Sequence, residues 1–186
     1  MAIRVIAGTA KGRRLKMVPG ETTRPITDRV KEALFNILSP VVPGSSWLDL
    51  FAGTGSVGIE ALSRGAAKAT FVDSARLAIQ AIHDNLAITG LAANARVVRA
   101  DVLDYLARTP SHHFDVVYVA PPQYRGLWKD ALLRLDARPD WLNPDGIVVV
   151  QIDPKEREAI SLQSLEAYDE RHYGRTLLWF WERPGE

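Results

Sequence analysis

The feature that most constrains the fold is the stretch of residues 47–58, where an apolar run ends in an acid and a glycine-rich turn follows. Residues 47–51 have the composition of a buried strand, and the mostly apolar residues 59–62 fit a helix. Gly53 and Gly55 allow the backbone to turn sharply and let a ligand approach main-chain N–H groups at the start of that helix. The stretch therefore predicts a strand, a ligand-binding loop and a helix N-terminus.

Strands and helices alternate along the rest of the chain. We predict strands at residues 46–51, 69–73, 95–99, 114–119 and 146–152. We predict helices between them, at about residues 57–64, 75–89, 101–108 and 126–136. Each strand is a nearly continuous apolar run, which is typical of a parallel sheet covered on both faces. With a closing antiparallel hairpin around Gly174, the expected fold is α/β with a mostly parallel seven-stranded sheet.

The N-terminal region differs in charge from the rest. Residues 1–31 carry eight basic and two acidic residues, whereas the remainder carries 15 basic and 20 acidic residues. We predict a small basic β-hairpin arm over residues 1–26. We predict that Thr27 is the N-cap of a linking helix (27–39), with which the main domain (27–186) begins. A basic arm on a mildly acidic body is typical of nucleic-acid binding, and a solvated basic face is the alternative.

Composition excludes several kinds of site. The chain has no cysteine, which excludes disulfides, zinc–thiolate sites and cysteine nucleophiles. Its four histidines show no metal-binding spacing with acids, so we expect no metal site. No apolar run approaches the roughly 18 residues that span a bilayer, and the first residues do not resemble a signal peptide. We therefore expect a cytoplasmic protein with no membrane partner.

Acidic residues lie at the carboxyl ends of three predicted strands: Asp49 and Asp73 in the strand ends and Asp101 just after the third strand. Because ligands of parallel sheets bind at the carboxyl ends of the strands, these acids are candidate binding residues. The glycine spacing over residues 53–58, with Asp73 further on, also matches the fingerprint of NAD-binding proteins. However, a carboxylate inside the strand end, at Asp49, suits an amino group better than a pyrophosphate. The alternative to ligand binding is that each acid has only a structural role at the N-terminus of the helix that follows it.

The pattern Asp-x-Phe-x-Gly-x-Gly that begins at Asp49 resembles motif I of class I S-adenosylmethionine-dependent methyltransferases, which have a Rossmann-like fold. The resemblance implies that the first acid faces the amino-acid end of the cofactor. It also implies that the acid after the second strand holds the ribose hydroxyls and that the acid after the third meets the adenine amino group. The cofactor-binding residues so implied are Asp49, Phe51, Gly53, Gly55, Asp73, Ser74, Asp101 and Val102.

Longer segments are similar to one methyltransferase family. Residues 4–8, 11–13, 24–36, 48–55 and 60–66 closely resemble the RsmD family, whose members methylate the exocyclic N2 of a guanine in bacterial small-subunit (16S) ribosomal RNA. The resemblance implies that the turn at Thr27 lies over the cofactor and the target. It implies RNA binding by the arm through Arg4, Lys11, Arg13, Arg24 and Arg29. The implied partner is 16S rRNA, naked or in the small subunit or its assembly intermediate, and we expect a monomer.

The end of the fourth predicted strand departs from the family pattern. The family has Asp-Pro-Pro followed by Phe or Tyr, and this chain has Ala120, Pro121, Pro122, Gln123 and Tyr124. An acceptor at the first position would hydrogen-bond the amino group of the base and aim its lone pair at the sulfonium methyl group, so that positioning supplies much of the catalysis. Ala120 has no side-chain acceptor.

The predicted catalytic residues are Ala120, Pro121, Pro122 and Tyr124, of which Tyr124 is expected to stack on a flipped guanine. The substitute acceptors are the backbone carbonyls of Ala120 and Pro121 and the side chains of Gln123 and Asp28. Two interpretations stay open at this point. One is an active enzyme that uses a substitute acceptor or has a changed substrate. The other is a non-catalytic RNA-binding or ribosome-assembly relative on the same fold.

Overall fold

The computed structural model describes residues 2–21 and 25–185. Its helices are α1 (Asp28–Leu38), α2 (Ser56–Ser63), α3 (Arg76–Thr89), α4 (Val102–Leu106) and α5 (Leu127–Ala137). Its strands are β1 (Ile3–Arg4), β2 (Arg14–Leu15), β3 (Ser46–Leu50), β4 (Lys68–Asp73), β5 (Ala95–Arg99), β6 (Phe114–Val119), β7 (Leu142–Ile152), β8 (Glu166–Tyr173) and β9 (Thr176–Glu182). Short 3₁₀ turns lie at Ala92–Asn94, Pro139–Trp141 and Pro154–Glu156.

Seven of these strands form one sheet in the order β5-β4-β3-β6-β7-β9-β8. Strands β5 to β7 are parallel to one another, and β9 and β8 add to the edge of β7 as an antiparallel hairpin. The predicted α/β fold with a mostly parallel sheet and a closing hairpin is confirmed. The strand order reverses between β3 and β6, so the ligand crevice of such a sheet is expected there.

Helices cover both faces of the sheet. Trp47 of β3 and Tyr118 of β6 lie in one apolar core, with residues of α1, α2 and α3. Their neighbours Leu48 and Val117 lie in the opposite core, with residues of α4 and α5. Because successive strand residues point to opposite faces, a strand buried on both sides must be apolar throughout. This explains the continuous apolar runs of the sequence.

Two elements of the main sheet domain differ from the prediction by two or more residues at one end, and the others differ by at most one residue. Strand β7 begins at Leu142 rather than 146, because a register shift against β6 and a left-handed Asp145 (φ 64°) allow polar residues inside the strand. Helix α4 spans only 102–106 rather than 101–108, because Asp101 is its N-cap and accepts a hydrogen bond from the N–H of Asp104. Over residues 2–21 and 25–185, no helix has the length and apolar character needed to cross a membrane.

The N-terminal arm forms a hairpin of two-residue strands that packs on the main domain. Ile3, Val5 and Leu15 belong to the same apolar core as α1 and α2. Gly8 has a φ of 87°, and a Cβ atom there would lie 1.8 Å from the carbonyl oxygen of Ser63 at the end of α2. Only glycine fits so close an approach, and the arm is thereby fixed against α2.

A buried ion pair joins the arm to α1 and α2. Lys31 and Glu60 are both 0% exposed, with 3.3 Å between Nζ and Oε1. Lys31 Nζ also donates to the carbonyl of Arg4 at 2.6 Å and to Oγ of Ser56 at 3.0 Å. Glu60 in turn accepts a hydrogen bond from the N–H of Ile6 at 2.8 Å. Burial lowers the pKa of Lys31, and Glu60 opposes that shift by stabilising the charged form.

Candidate active site

A cleft of about 530 Å³ opens at the carboxyl ends of the parallel strands. Its walls come from the loops after β3, β4, β5 and β6 and from the end of β7, and the turn between β8 and β9 adds one side. Pro25 and Ile26, which precede α1, also line it. The cleft thus lies at the point where the strand order reverses, and the chain that leaves the arm forms part of its wall.

The glycine turn after β3 brings the backbone close to the cleft. Gly55 has a φ of 78° and is the N-cap of α2. Gly58 has no room for a side chain, because a Cβ atom would lie 2.4 Å from the ring of Phe71. Phe51, which lines the cleft, has a φ of 57°, a left-handed conformation that is uncommon for an aromatic residue. Strained backbone of this kind is concentrated at functional sites, and its position supports a ligand-binding role.

Asp49 is a buried acid at the wall of the cleft. It is 2% exposed, and its Oδ2 accepts a hydrogen bond from the N–H of Gly58 at 3.0 Å. Burial raises the pKa of Asp49 to about 8, and the negative charge of Asp73 adds to the shift while the Gly58 bond opposes it. The carboxyl is therefore mostly neutral at pH 7. A ligand ammonium group would favour its charged form, so Asp49 fits the amino end of an amino-acid ligand.

Asp73 ends β4 and holds the glycine turn. Its Oδ2 accepts from the N–H of Gly53 and its Oδ1 from the N–H of Ala75, both at 2.9 Å. Two of the four lone-pair sites of the carboxylate therefore remain for ligand hydroxyls.

Asp101 lines the cleft and also caps α4, with 3.0 Å between Oδ1 and the N–H of Asp104. Among residues 2–21 and 25–185, no group of three or more His, Cys, Asp or Glu side chains is arranged to hold a metal ion.

Most of the predicted cofactor residues meet at this cleft. Those that line it are Asp49, Phe51, Gly53, Asp73, Ser74, Asp101 and Val102. Thr27 and Gly55 do not line it. Thr27 caps α1 by accepting a hydrogen bond from the N–H of Val30 at 3.3 Å, as the sequence predicts for a cap. A Cβ atom at Gly55 would face Ile82 and Phe71 in the core.

The predicted catalytic segment divides between two pockets. Its members that line the main cleft are Ala120, Pro121 and Pro122. Tyr124 instead lines a smaller neighbouring pocket of about 290 Å³. Its hydroxyl donates to Oδ2 of Asp153 at 2.6 Å, and its N–H donates to Oε1 of Glu156 at 2.8 Å. In this conformation the Tyr124 ring is held outside the main cleft.

The side chains predicted as substitute acceptors also lie in different places. Gln123 lines the cleft and is exposed. Asp28 does not line the cleft, and its Oδ2 pairs with Nε of Arg4 at 2.9 Å. The structure therefore brings Gln123, but not Asp28, to the end of β6.

The predicted RNA-binding residues are exposed where the structure describes them. Arg4, Lys11, Arg13 and Arg29 all have exposed positions, on the arm or in the first turn of α1. Arg4 is partly neutralised by its ion pair with Asp28. Arg24 lies outside the described residues.

Several residues of the cleft do not belong to any motif identified in the sequence. Tyr118 and Gln151 lie on adjacent strands, and the hydroxyl of Tyr118 donates to the side-chain oxygen of Gln151. Arg175, from the turn between β8 and β9, reaches the same cleft. The one available signal is a polar residue that interrupts an apolar strand near its carboxyl end, as Gln151 does in β7.

The comparisons with known proteins agree with this geometry. A family model described as "Conserved hypothetical protein 95" matches residues 3–182. The ribosomal RNA small subunit methyltransferase D of Escherichia coli (strain K12) is 42% identical over 149 residues, which cover 80% of this chain and 74% of that protein. The chain therefore belongs to the family of ribosomal RNA small subunit methyltransferase D. The predicted resemblance to the RsmD family is thereby confirmed.

Solved structures show the same fold. The putative methyltransferase yhhF from Escherichia coli is 35% identical, with a TM-score of 0.88 and full coverage of both chains. An RNA methyltransferase from Salinibacter ruber, solved in complex with S-adenosyl-L-homocysteine, is 16% identical, with a TM-score of 0.67 over 88% of this chain and 95% of that one. At this identity the second likeness concerns the fold alone. The predicted Rossmann-like methyltransferase fold is confirmed.

Proposed function

We propose that this protein transfers a methyl group from S-adenosylmethionine to the exocyclic N2 of a guanine in 16S ribosomal RNA. The observation that carries the proposal is the cleft itself. It combines a buried acid (Asp49) whose hydrogen bond comes from the Gly58 N–H, a tight glycine turn and a Pro-Pro strand end at one switch point. The family relative named as a ribosomal RNA small subunit methyltransferase supports the substrate class.

The residues of the cleft fit S-adenosylmethionine. Asp49 would hold the ammonium group of the amino-acid end, Asp73 the ribose hydroxyls and Asp101 the adenine amino group. Gly58 fits this arrangement because its N–H fixes Oδ2 of Asp49 without occupying the other carboxyl oxygen. When bound, S-adenosylmethionine supplies an electrophilic methyl group on a sulfonium centre. The chain's task is to orient the acceptor nitrogen toward that centre.

The end of β6 positions the target amino group. Pro121 and Pro122 fix the backbone φ and have no N–H, so the carbonyl groups of this segment are available as acceptors. Holding one N–H of the guanine amine helps to localise the nitrogen lone pair. In the transfer, this lone pair forms the new N–CH₃ bond, the electrons of the broken S–CH₃ bond remain on sulfur, and water takes the proton that nitrogen loses.

The arm supplies the RNA-binding surface. Arg4, Lys11, Arg13 and Arg29 are exposed basic residues on one rigid unit with the cleft, because the arm shares the core of the main domain. Phosphate contacts of this kind set position and affinity rather than sequence. We infer that the substrate is 16S rRNA, naked or within an assembling small subunit in the cytoplasm, and that the protein acts as a monomer.

The test is methylation of ribosomal RNA. We expect 16S rRNA from a deletion strain to lack one N2-methylguanine by mass spectrometry, and the purified protein with S-adenosylmethionine to restore it in vitro. An unchanged nucleoside in the deletion strain, with RNA binding by the protein retained, would contradict the proposal.

A further inference from the structure

The end of β7 stands beside Ala120. Strands β6 and β7 are parallel, and Tyr118 pairs with Val149 within one apolar layer. Side chains two residues further along a strand return to the same face. Ala120 and Gln151 therefore project on the same face, one position beyond the last paired residues, and both line the cleft.

Tyr118 fixes the orientation of the Gln151 side chain. The Tyr118 hydroxyl donates a hydrogen bond to Oε1 of Gln151, and Tyr118 itself is only 3% exposed. Burial and the nearby Asp49 raise the pKa of Tyr118 well above its usual value, so the hydroxyl keeps its proton and remains a donor. An amide oxygen has two lone pairs, and the bond from Tyr118 uses one of them. The second is available to a ligand in the cleft.

The three aspartates of the cleft have other partners. Both oxygens of Asp73 accept backbone N–H groups, and Asp101 caps α4. Asp49 is fixed by Gly58 and suits a cation.

The other amide side chain of the cleft is Gln123, in the exposed loop after β6. Within residues 2–21 and 25–185, its side chain has no hydrogen-bond partner that would hold it in one orientation. A catalytic acceptor needs such support from a second residue. Gln151 has this support from a buried tyrosine, and Gln123 does not.

We propose that Gln151 is a catalytic residue whose amide oxygen, held by the Tyr118 hydroxyl, accepts an N–H of the target amino group in the space left open by Ala120. This inference rests on the proposed methyl transfer. The acceptor is neutral, so it orients the amine and polarises its N–H while the proton departs to water. Tyr118 is the corresponding positioning residue.

The test compares Gln151→Leu with Gln151→Glu under single-turnover conditions on 16S rRNA. Leucine removes the acceptor at similar size, and we expect the methylation rate to fall roughly 100-fold, as for other hydrogen bonds that act in a transition state. Glutamate keeps an acceptor oxygen, and we expect a rate within about tenfold of the wild type at pH 8. Affinity for S-adenosylhomocysteine should change by no more than about twofold in either variant.

Tyr118→Phe and Gln163→Leu complete the design. Phenylalanine removes only the hydroxyl that orients Gln151, and we expect a loss of about tenfold in rate with cofactor affinity retained. Gln163→Leu is the matched control, an exposed amide that does not line the cleft, and its rate should stay within about twofold of the wild type.

Three results would overturn the role of Gln151: a Gln151→Leu rate above half that of the wild type, equal losses in the leucine and glutamate variants, or a parallel loss of cofactor affinity. If the wild type itself makes no product, the proposed function fails instead.

Discussion

The buried carboxyl of Asp49 makes a prediction about stability and pH. The pKa of this group is about 8 in the folded chain because of burial, whereas it is about 3.9 in an unfolded chain. Between these two values the folded state binds a proton that the unfolded state has released. The free energy of unfolding therefore falls as the pH rises from about 4 to about 8. Above that range the carboxyl is charged in both states and the loss is complete.

The magnitude follows from the two pKa values. Between pH 6 and pH 9, the ionisation of Asp49 should remove roughly 3 kcal/mol from the free energy of unfolding. The Asp49→Asn variant isolates this effect, because the asparagine oxygen can still accept the hydrogen bond from Gly58 but the side chain cannot ionise. We expect the wild type to lose roughly 3 kcal/mol more than Asp49→Asn over this pH range.

The assay is urea unfolding of both proteins without cofactor at several pH values from 6 to 9, followed by intrinsic fluorescence. All other titrating groups, the histidines included, are common to both proteins and cancel in the difference. Parallel pH profiles for the two proteins would refute the reasoning, since they would mean that Asp49 is already charged at pH 6. If the wild type instead gained stability relative to Asp49→Asn as the pH rises, the predicted sign of the pH effect would be wrong.

Three further predictions concern the arm and the cofactor. Lys31→Met should lower the free energy of unfolding by about 3 kcal/mol, measured by urea titration, because it removes the lysine partner of the buried Glu60; the loss stays at the lower end for a broken buried pair because Arg64 still pairs with Glu60 at 3.0 Å. A loss below about 1 kcal/mol would contradict a buried ion pair. The double variant Lys11→Ala and Arg13→Ala should weaken RNA binding and lower its salt dependence by roughly one to two phosphate contacts. Its cofactor affinity should stay unchanged by calorimetry, and intact RNA affinity would remove the arm from the RNA surface. Asp73→Asn should weaken cofactor binding by about tenfold or more, since it removes the charge that favours ribose hydroxyls; an unchanged titration would show that this acid only holds the glycine turn.

The part of the site that the sequence predicts well is local. Asp49, the glycine turn and the start of α2 are contiguous, and each glycine has a backbone or packing reason that holds in any chain of this kind. Asp73 could be placed because parallel strands bring their carboxyl ends to one edge. These features need only strand type and strand order, and both can be inferred from apolar runs and their alternation with helices.

The part that the sequence predicts poorly depends on register and side-chain direction. The stacking of Tyr124 on the target base stays a prediction, but the sequence does not show the direction of its ring, which the left-handed backbone and the bond to Asp153 hold outside the main cleft. The contact between Tyr118 and Gln151 depends on the register of β6 against β7, which are separated by α5. Neither backbone strain nor strand register leaves a local pattern in the sequence.

The buried pair of Lys31 and Glu60 explains how an arm rich in basic residues becomes part of the catalytic unit. Lys31 bonds the arm through the carbonyl of Arg4 and bonds the wall of the cleft through Ser56. A buried lysine is stable only if its partners are in place, so the three segments must come together for any of them to be satisfied. The exposed cations of the arm are therefore held at a fixed distance from the glycine turn. We therefore propose that a phosphate bound to the arm determines which nucleotide of the same RNA reaches the end of β6, so that the arm contributes to target choice without contacting the target base.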